Sequence, residues 1–159
     1  MAIPASYSAK RDIAYAGMLG DTSLNNIDGA CAAVGNIPVG VAVYVSAVQA
    51  REGHKSVKLP VADTVPYGVA YHSHAYCPTG TYAEGEEVNV LSHGRIWMIT
   101  DDATPPAFGN NVKIVAGTGH AAAAGTLATN WTYTGEYFTT KSGVKLVKVQ
   151  VLQSSSPVV

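Results

Sequence analysis

A period of two, broken at short intervals by turn residues, constrains this chain more than any other feature. In Val39-Gly-Val41-Ala-Val43-Tyr-Val45-Ser-Ala47, one face carries Val39, Val41, Val43, Val45 and Ala47 and the other Gly40, Ala42, Tyr44 and Ser46. Alternation of that kind, with β-branched residues on one side, is a half-buried strand. Further candidates are Ser56–Val61, Pro66–His72, Glu87–Leu91, Arg95–Thr100, Asn111–Ala116, Leu127–Tyr133, Glu136–Thr139 and Gly143–Leu152. Turn signals separate them at Glu52-Gly53, Pro78-Thr-Gly80, Glu84-Gly85, His93-Gly94, Gly117-Thr-Gly119, Gly135 and Ser142-Gly143. No apolar stripe of helical period runs for ten residues.

Many short strands at close spacing predict an all-β fold, a compact β-sandwich or barrel of jelly-roll-like kind. In the last strand Val144 and Leu146 share a face, after which Val147, Val149 and Val151 take the other phase. A bulge near Leu146-Val147 is the expected reconciliation. The ends lack this logic. Residues 1–20 are expected to form an extended N-terminal arm, residues 21–152 a single β domain and residues 153–159 a short C-terminal tail. An arm holding Ile3, Tyr7, Arg11 and Tyr15 suits an interface, where Tyr and Arg are enriched.

Charge then excludes whole classes of function. Ten Lys and Arg stand against 11 Asp and Glu, and only 13% of residues are charged. No cationic surplus exists to neutralise a phosphate backbone, so no nucleic-acid partner is expected. No apolar run approaches the roughly 20 residues of a membrane helix, and the start lacks the charged and apolar regions of a secretion signal. Cys31 and Cys77 are too few and too far apart for a disulfide framework or a zinc cluster, and read as small buried or half-buried thiols, with a Cys31–Cys77 bridge open to them under oxidation.

Candidate chemistry is thin. Gly117-Thr-Gly119-His-Ala-Ala122 matches a dinucleotide fingerprint, but Gly125 interrupts the helix that such a site requires. His72 and His74 would point to one face of a strand, yet a metal site needs a third ligand that no spacing marks. They read instead as a surface or interface pair that changes charge near neutral pH. There is no nucleophile elbow, and the carboxylates lie beside turns. The expectation is no enzyme, no cofactor and no metal.

The order of segments resembles the structural cement proteins of tailed-bacteriophage capsids. The likeness runs from Ile13-Ala-Tyr15-Ala-Gly17-Met-Leu-Gly20-Asp21 through Ile37-Pro-Val39-Gly-Val41 and Tyr67-Gly-Val-Ala-Tyr71-His-Ser-His74. It continues in Tyr82-Ala-Glu84-Gly-Glu-Glu87-Val-Asn-Val-Leu91 and Gly94-Arg-Ile-Trp97-Met98, and closes with Val112–Val115 and Val144–Val147. The resemblance implies a capsid decoration protein on the virion exterior, assembled in the host cytoplasm. Its partners would be the major capsid protein and copies of itself, as a homotrimer. Residues apolar on both strand faces, Arg95–Ile99 above all, suit burial between copies. The expected capsid or subunit contacts are Ile3, Tyr7, Arg11, Tyr15, His72, His74 and Trp97. An alternative is a carbohydrate- or receptor-binding β-sandwich of the virion, stacking sugars on Tyr71, Tyr76, Tyr82 and Trp131.

Overall fold

Strand β7, Glu87–Ile99, organises the molecule because both of its halves are paired, each with different neighbours. A computed structural model describes residues 11–49, 51–75 and 77–153. Among these residues there is no helix. The other strands are β1 (Asn26–Ala33), β2 (Ile37–Pro38), β3 (Ala42–Val48), β4 (Lys55–Lys58) and β5 (Gly68–Ala70). They are followed by β6 (Thr81–Tyr82), β8 (Asn111–Ile114), β9 (Leu127–Thr139) and β10 (Lys145–Val151).

The main sheet runs β1-β4-β3-β5-β7-β10-β9-β8, and β1 pairs back onto β7. That extra pairing closes β1, β4, β3, β5 and the first half of β7 into a ring, the barrel form of the expected all-β fold. Past Gly94 the second half of β7 pairs with β10, Val151 opposite Gly94 and Leu146 opposite Ile99. The far edge returns too, since Ala121 bridges both Ile114 and Thr100.

Three strands of the ring form a wall with a core on each side. Consecutive residues Ala42 and Val43, Val69 and Ala70, and Val90 and Leu91 go to different cores. One core is built mainly of small residues, among them Ala33, Val41, Val43, Val57, Val88 and Val90. The other holds Trp131, Tyr133, Met98, Ile96 and Ile114. A strand buried on both faces has no polar side to alternate with, so β5 reads Gly-Val-Ala, wholly buried. Gly68 belongs there because a Cβ would sit 2.4 Å from the Leu91 carbonyl oxygen.

Several sequence expectations change at this level. His93-Gly94 is not a turn: Gly94, at φ 126°, lies inside β7 where the strand exchanges neighbours. Gly135 likewise sits inside β9 at φ 85°, in a bulge that sets five residues of β9, Tyr133 to Tyr137, against the three residues Val147–Val149 of β10. The bulge expected at Leu146-Val147 is absent from the β7–β10 register, which is continuous. Leu146 and Val147 are both buried because both faces of β10 are covered, Val147 by the large core and Leu146 by Ala14 and Trp97. Strand β1 escaped the alternation rule, since Asp28 and Gly29 interrupt its apolar residues.

Candidate functional site

The described part of the arm, residues 11–20, lies on the second half of β7. The Gly17 amide donates to the Trp97 carbonyl at 2.8 Å, the Trp97 amide to Met18 at 2.9 Å and the Gly20 amide to Arg95 at 2.7 Å. Leu19 bridges Ile96. These bonds satisfy backbone groups of β7 that no full strand covers. Ala14 packs with Trp97 and Leu146, flanked by Ala16, Met18, Ile99 and Phe138. Gly20 passes so close to Lys148 that a Cβ would lie 2.5 Å from its Cδ. At the base, Arg95 Nη1 binds Asp21 at 2.9 Å while Arg95 Nε donates to Gln150 at 3.1 Å.

At the outer end three of the expected contact residues meet. The Tyr15 ring stands edge-on to His72 with centroids 5.2 Å apart, and 5.3 Å from His74. The two imidazoles are 4.5 Å apart. Tyr15 Oη and His74 Nε2 share a hydrogen bond of 3.0 Å, and the His72 amide donates to the Gly17 carbonyl at 3.0 Å. His72 Nε2 is buried without a hydrogen-bond partner. Burial, and then the neighbouring His74, hold the His72 pKa below the usual imidazole value, while backbone groups of Cys77 and Ala16 pull the other way. Burial and Tyr71 push the Tyr15 phenol up.

Other expected residues fall out differently. Trp97 is only 6% exposed, so the chain's own residues 14–18 provide the cover that a neighbouring copy was expected to give. Arg11 is exposed at the start of the described chain, and Ile3 and Tyr7 lie outside the described residues. Sequence reading missed Ile13, 70% exposed two residues before Tyr15, because no alternation places it. Its neighbour Asp12 accepts from the Lys141 amide in the β9–β10 hairpin, where Val144 is also exposed.

The proposed sugar platform does not form. Tyr82 and Trp131 are fully buried, Tyr82 donating to the Tyr71 carbonyl and Trp131 Nε1 to the Leu152 carbonyl. Tyr71 is half-buried, and Tyr76 lies outside the described residues. The Gly117–Gly119 motif is a turn with a packing role: the Ala42 amide donates to the Gly119 carbonyl, and a Cβ on Gly119 would meet the Ala42 oxygen at 2.5 Å. Cys31 and Cys77 are both buried and free, as their small size suggested, and burial pushes the Cys31 thiol up to about 12. Among the described residues no three His, Cys, Asp or Glu are grouped to hold a metal ion, and no helix is long and apolar enough to cross a membrane.

No curated protein matches the chain. Among solved structures, a chain of one described as "The capsid of Myoviridae Phage XM1" shares the fold, with a TM-score of 0.69 at 18% identity over 96% of this chain and 98% of that one. A family model described as "Structural cement protein (E217 gp24/Pam3 gp6)" matches residues 3–152. That match takes in the docked segment, the ring and the second core together. The chain therefore belongs to the structural cement protein family, and its role is the structural one of stabilising a phage capsid.

Proposed function

We propose that the chain sits on the outer surface of the virion and ties together neighbouring subunits of the major capsid protein, as a homotrimer. Assembly takes place in the host cytoplasm. In this reading residues 1–20 act as the arm, 21–152 as the β body and 153–159 as the tail. The arm makes the contacts, through Ile3, Tyr7 and Arg11, together with the Tyr15, His72 and His74 face; Trp97 serves as the arm's seat. The role involves no catalysis, cofactor, nucleic acid or membrane.

The observation that carries this reading is the family match over residues 3–152, which includes the arm as well as the body. Physical chemistry supports it. Affinity for a repeating lattice comes from apolar area multiplied by several simultaneous attachments, so a weak single contact suffices for a trimer. Ile13 and Tyr15 on the docked segment and Val144 on the β9–β10 hairpin that it meets offer exposed apolar surface. Capsids assembled with and without this chain, challenged by heat and low salt, test the proposal. Complete capsids should survive conditions that open the others, and equal survival would contradict the role.

A further inference from the structure

The seat of the arm has two ends of opposite chemistry. At the base, Asp21 is held far below the usual carboxylate range, first by its bonds with Ser23 and then by Arg95. The Asp21 carboxylate therefore keeps its charge throughout the range in which imidazoles titrate. At the outer end the arm rests on His72 and His74. The ionisable groups that meet there are Tyr15 from the arm, Tyr71, His72 and His74 from the chain after β5, and Cys77 beyond them. Burial, and more weakly Glu86, push the Cys77 thiol up, so it adds no negative charge. Among the described residues the histidine paired with a carboxylate is His120, with Asp101, at another place in the fold.

We propose that the Tyr15–His72–His74 cluster is a pH-sensitive latch: neutral imidazoles hold residues 11–17 on the body, and protonation of the pair releases them while Asp21 and Arg95 keep the base attached. Two protons would place like charges on rings 4.5 Å apart, and among the described residues no ion pair joins either ring to a carboxylate. A charged His72 would also carry a proton on Nε2, a buried atom that has no hydrogen-bond partner. Stability from this contact is present at neutral pH. The part owed to His72 is lost as the pH falls below the unfolded imidazole value and through the lower folded one of that ring.

The latch deepens the reading of residues 1–20 as a capsid-binding arm, and its test uses the free full-length chain, so the latch and the capsid contact fail separately. Amide hydrogen exchange, corrected for its intrinsic pH dependence, is followed at Gly17, His72 and Gly20. Between about pH 7.5 and pH 5, protection at Gly17 and His72 should fall about tenfold, with Gly20 changing less. The double variant His72→Phe, His74→Gln should show a flat profile. His74→Gln alone, which keeps the buried ring in place, should reduce the loss. Unchanged protection in the natural chain, or an equal loss in His74→Gln and in the double variant, would overturn the latch.

Discussion

The two cores on either side of the β3–β5–β7 wall solve the packing problem with different residues. The first fills a closed ring, where opposite strands are near each other, mainly with Val and Ala, with Tyr82 and Ile37 the largest of its described buried residues. The second lies under the long strands β7, β9 and β10 and takes Trp131, Tyr133, Met98 and Ile96. The first is closed by a strand pairing, β1 on β7, and by a polar cluster in which Asp28 receives Lys55 at 2.8 Å and the Tyr67 hydroxyl at 2.6 Å. The second is closed at one margin by a short segment, with Ala121 bridging Ile114 and Thr100, the Ala122 amide donating to Lys113 and the Ala123 amide to Asp102, and its strands β7 and β10 carry the arm on their other face. The lesson is a division of labour: the ring is closed by its own strand pairing, while the half built on large residues also presents the surface proposed for binding.

Breaking the large core should have the greatest effect. Trp131→Ala removes the largest buried side chain and the donor to Leu152, and should cost about 3–5 kcal/mol in urea unfolding. Gly68→Ala strikes the shared wall, where a Cβ clashes with backbone, and should lower stability by about 1–3 kcal/mol through strain on both cores at once. A calorimetric scan showing no drop for this variant would mean that the wall yields more easily than its contacts imply.

The ring's own polar cluster sharpens the comparison further. Burial would raise the Asp28 carboxyl, but Lys55, Tyr67 and the Ala30 amide together hold it below the usual value. Asp28→Ala, which leaves Lys55 and Tyr67 without their partner, should cost about 1–3 kcal/mol at neutral pH. Because the folded carboxyl is the stronger acid, this stability is present above its unfolded value near 3.8 and fades as the pH falls through the folded one. A chemical-denaturation series from pH 6 to about pH 2 should therefore show the natural chain converging on the variant. Arg95→Ala should do least, about 0–1 kcal/mol, since its pair with Asp21 is largely exposed. Its larger consequence belongs to the arm, as faster exchange of the Gly20 amide.

Alternation made the first core readable: Val39, Val41, Val43 and Val45 share it as their spacing predicted. Ala47 departs from that face and is exposed because the β3–β4 register shifts between Val45 and Ala47. Strand β1 was illegible because its polar residues serve internal partners, Asp28 in its cluster and Asn26 with Ser92, rather than solvent. Glycines within β7 and β9 read as turns because a positive φ serves a bulge as well as a hairpin. At the site, the spacing of His72 and His74 foretold one shared face, and Tyr15 was singled out for its type alone. That the three meet depends on the arm turning back across β7, a contact about 57 residues distant in sequence that no local pattern encodes.

Electron microscopy of complete particles tests the central claim most directly. The account predicts density for this fold on the capsid exterior, in groups of three, with the Ile13, Tyr15 and His74 end set against capsid subunits or a neighbouring copy. Density inside the shell, or particles in which that end faces only solvent while another surface meets the lattice, would contradict it.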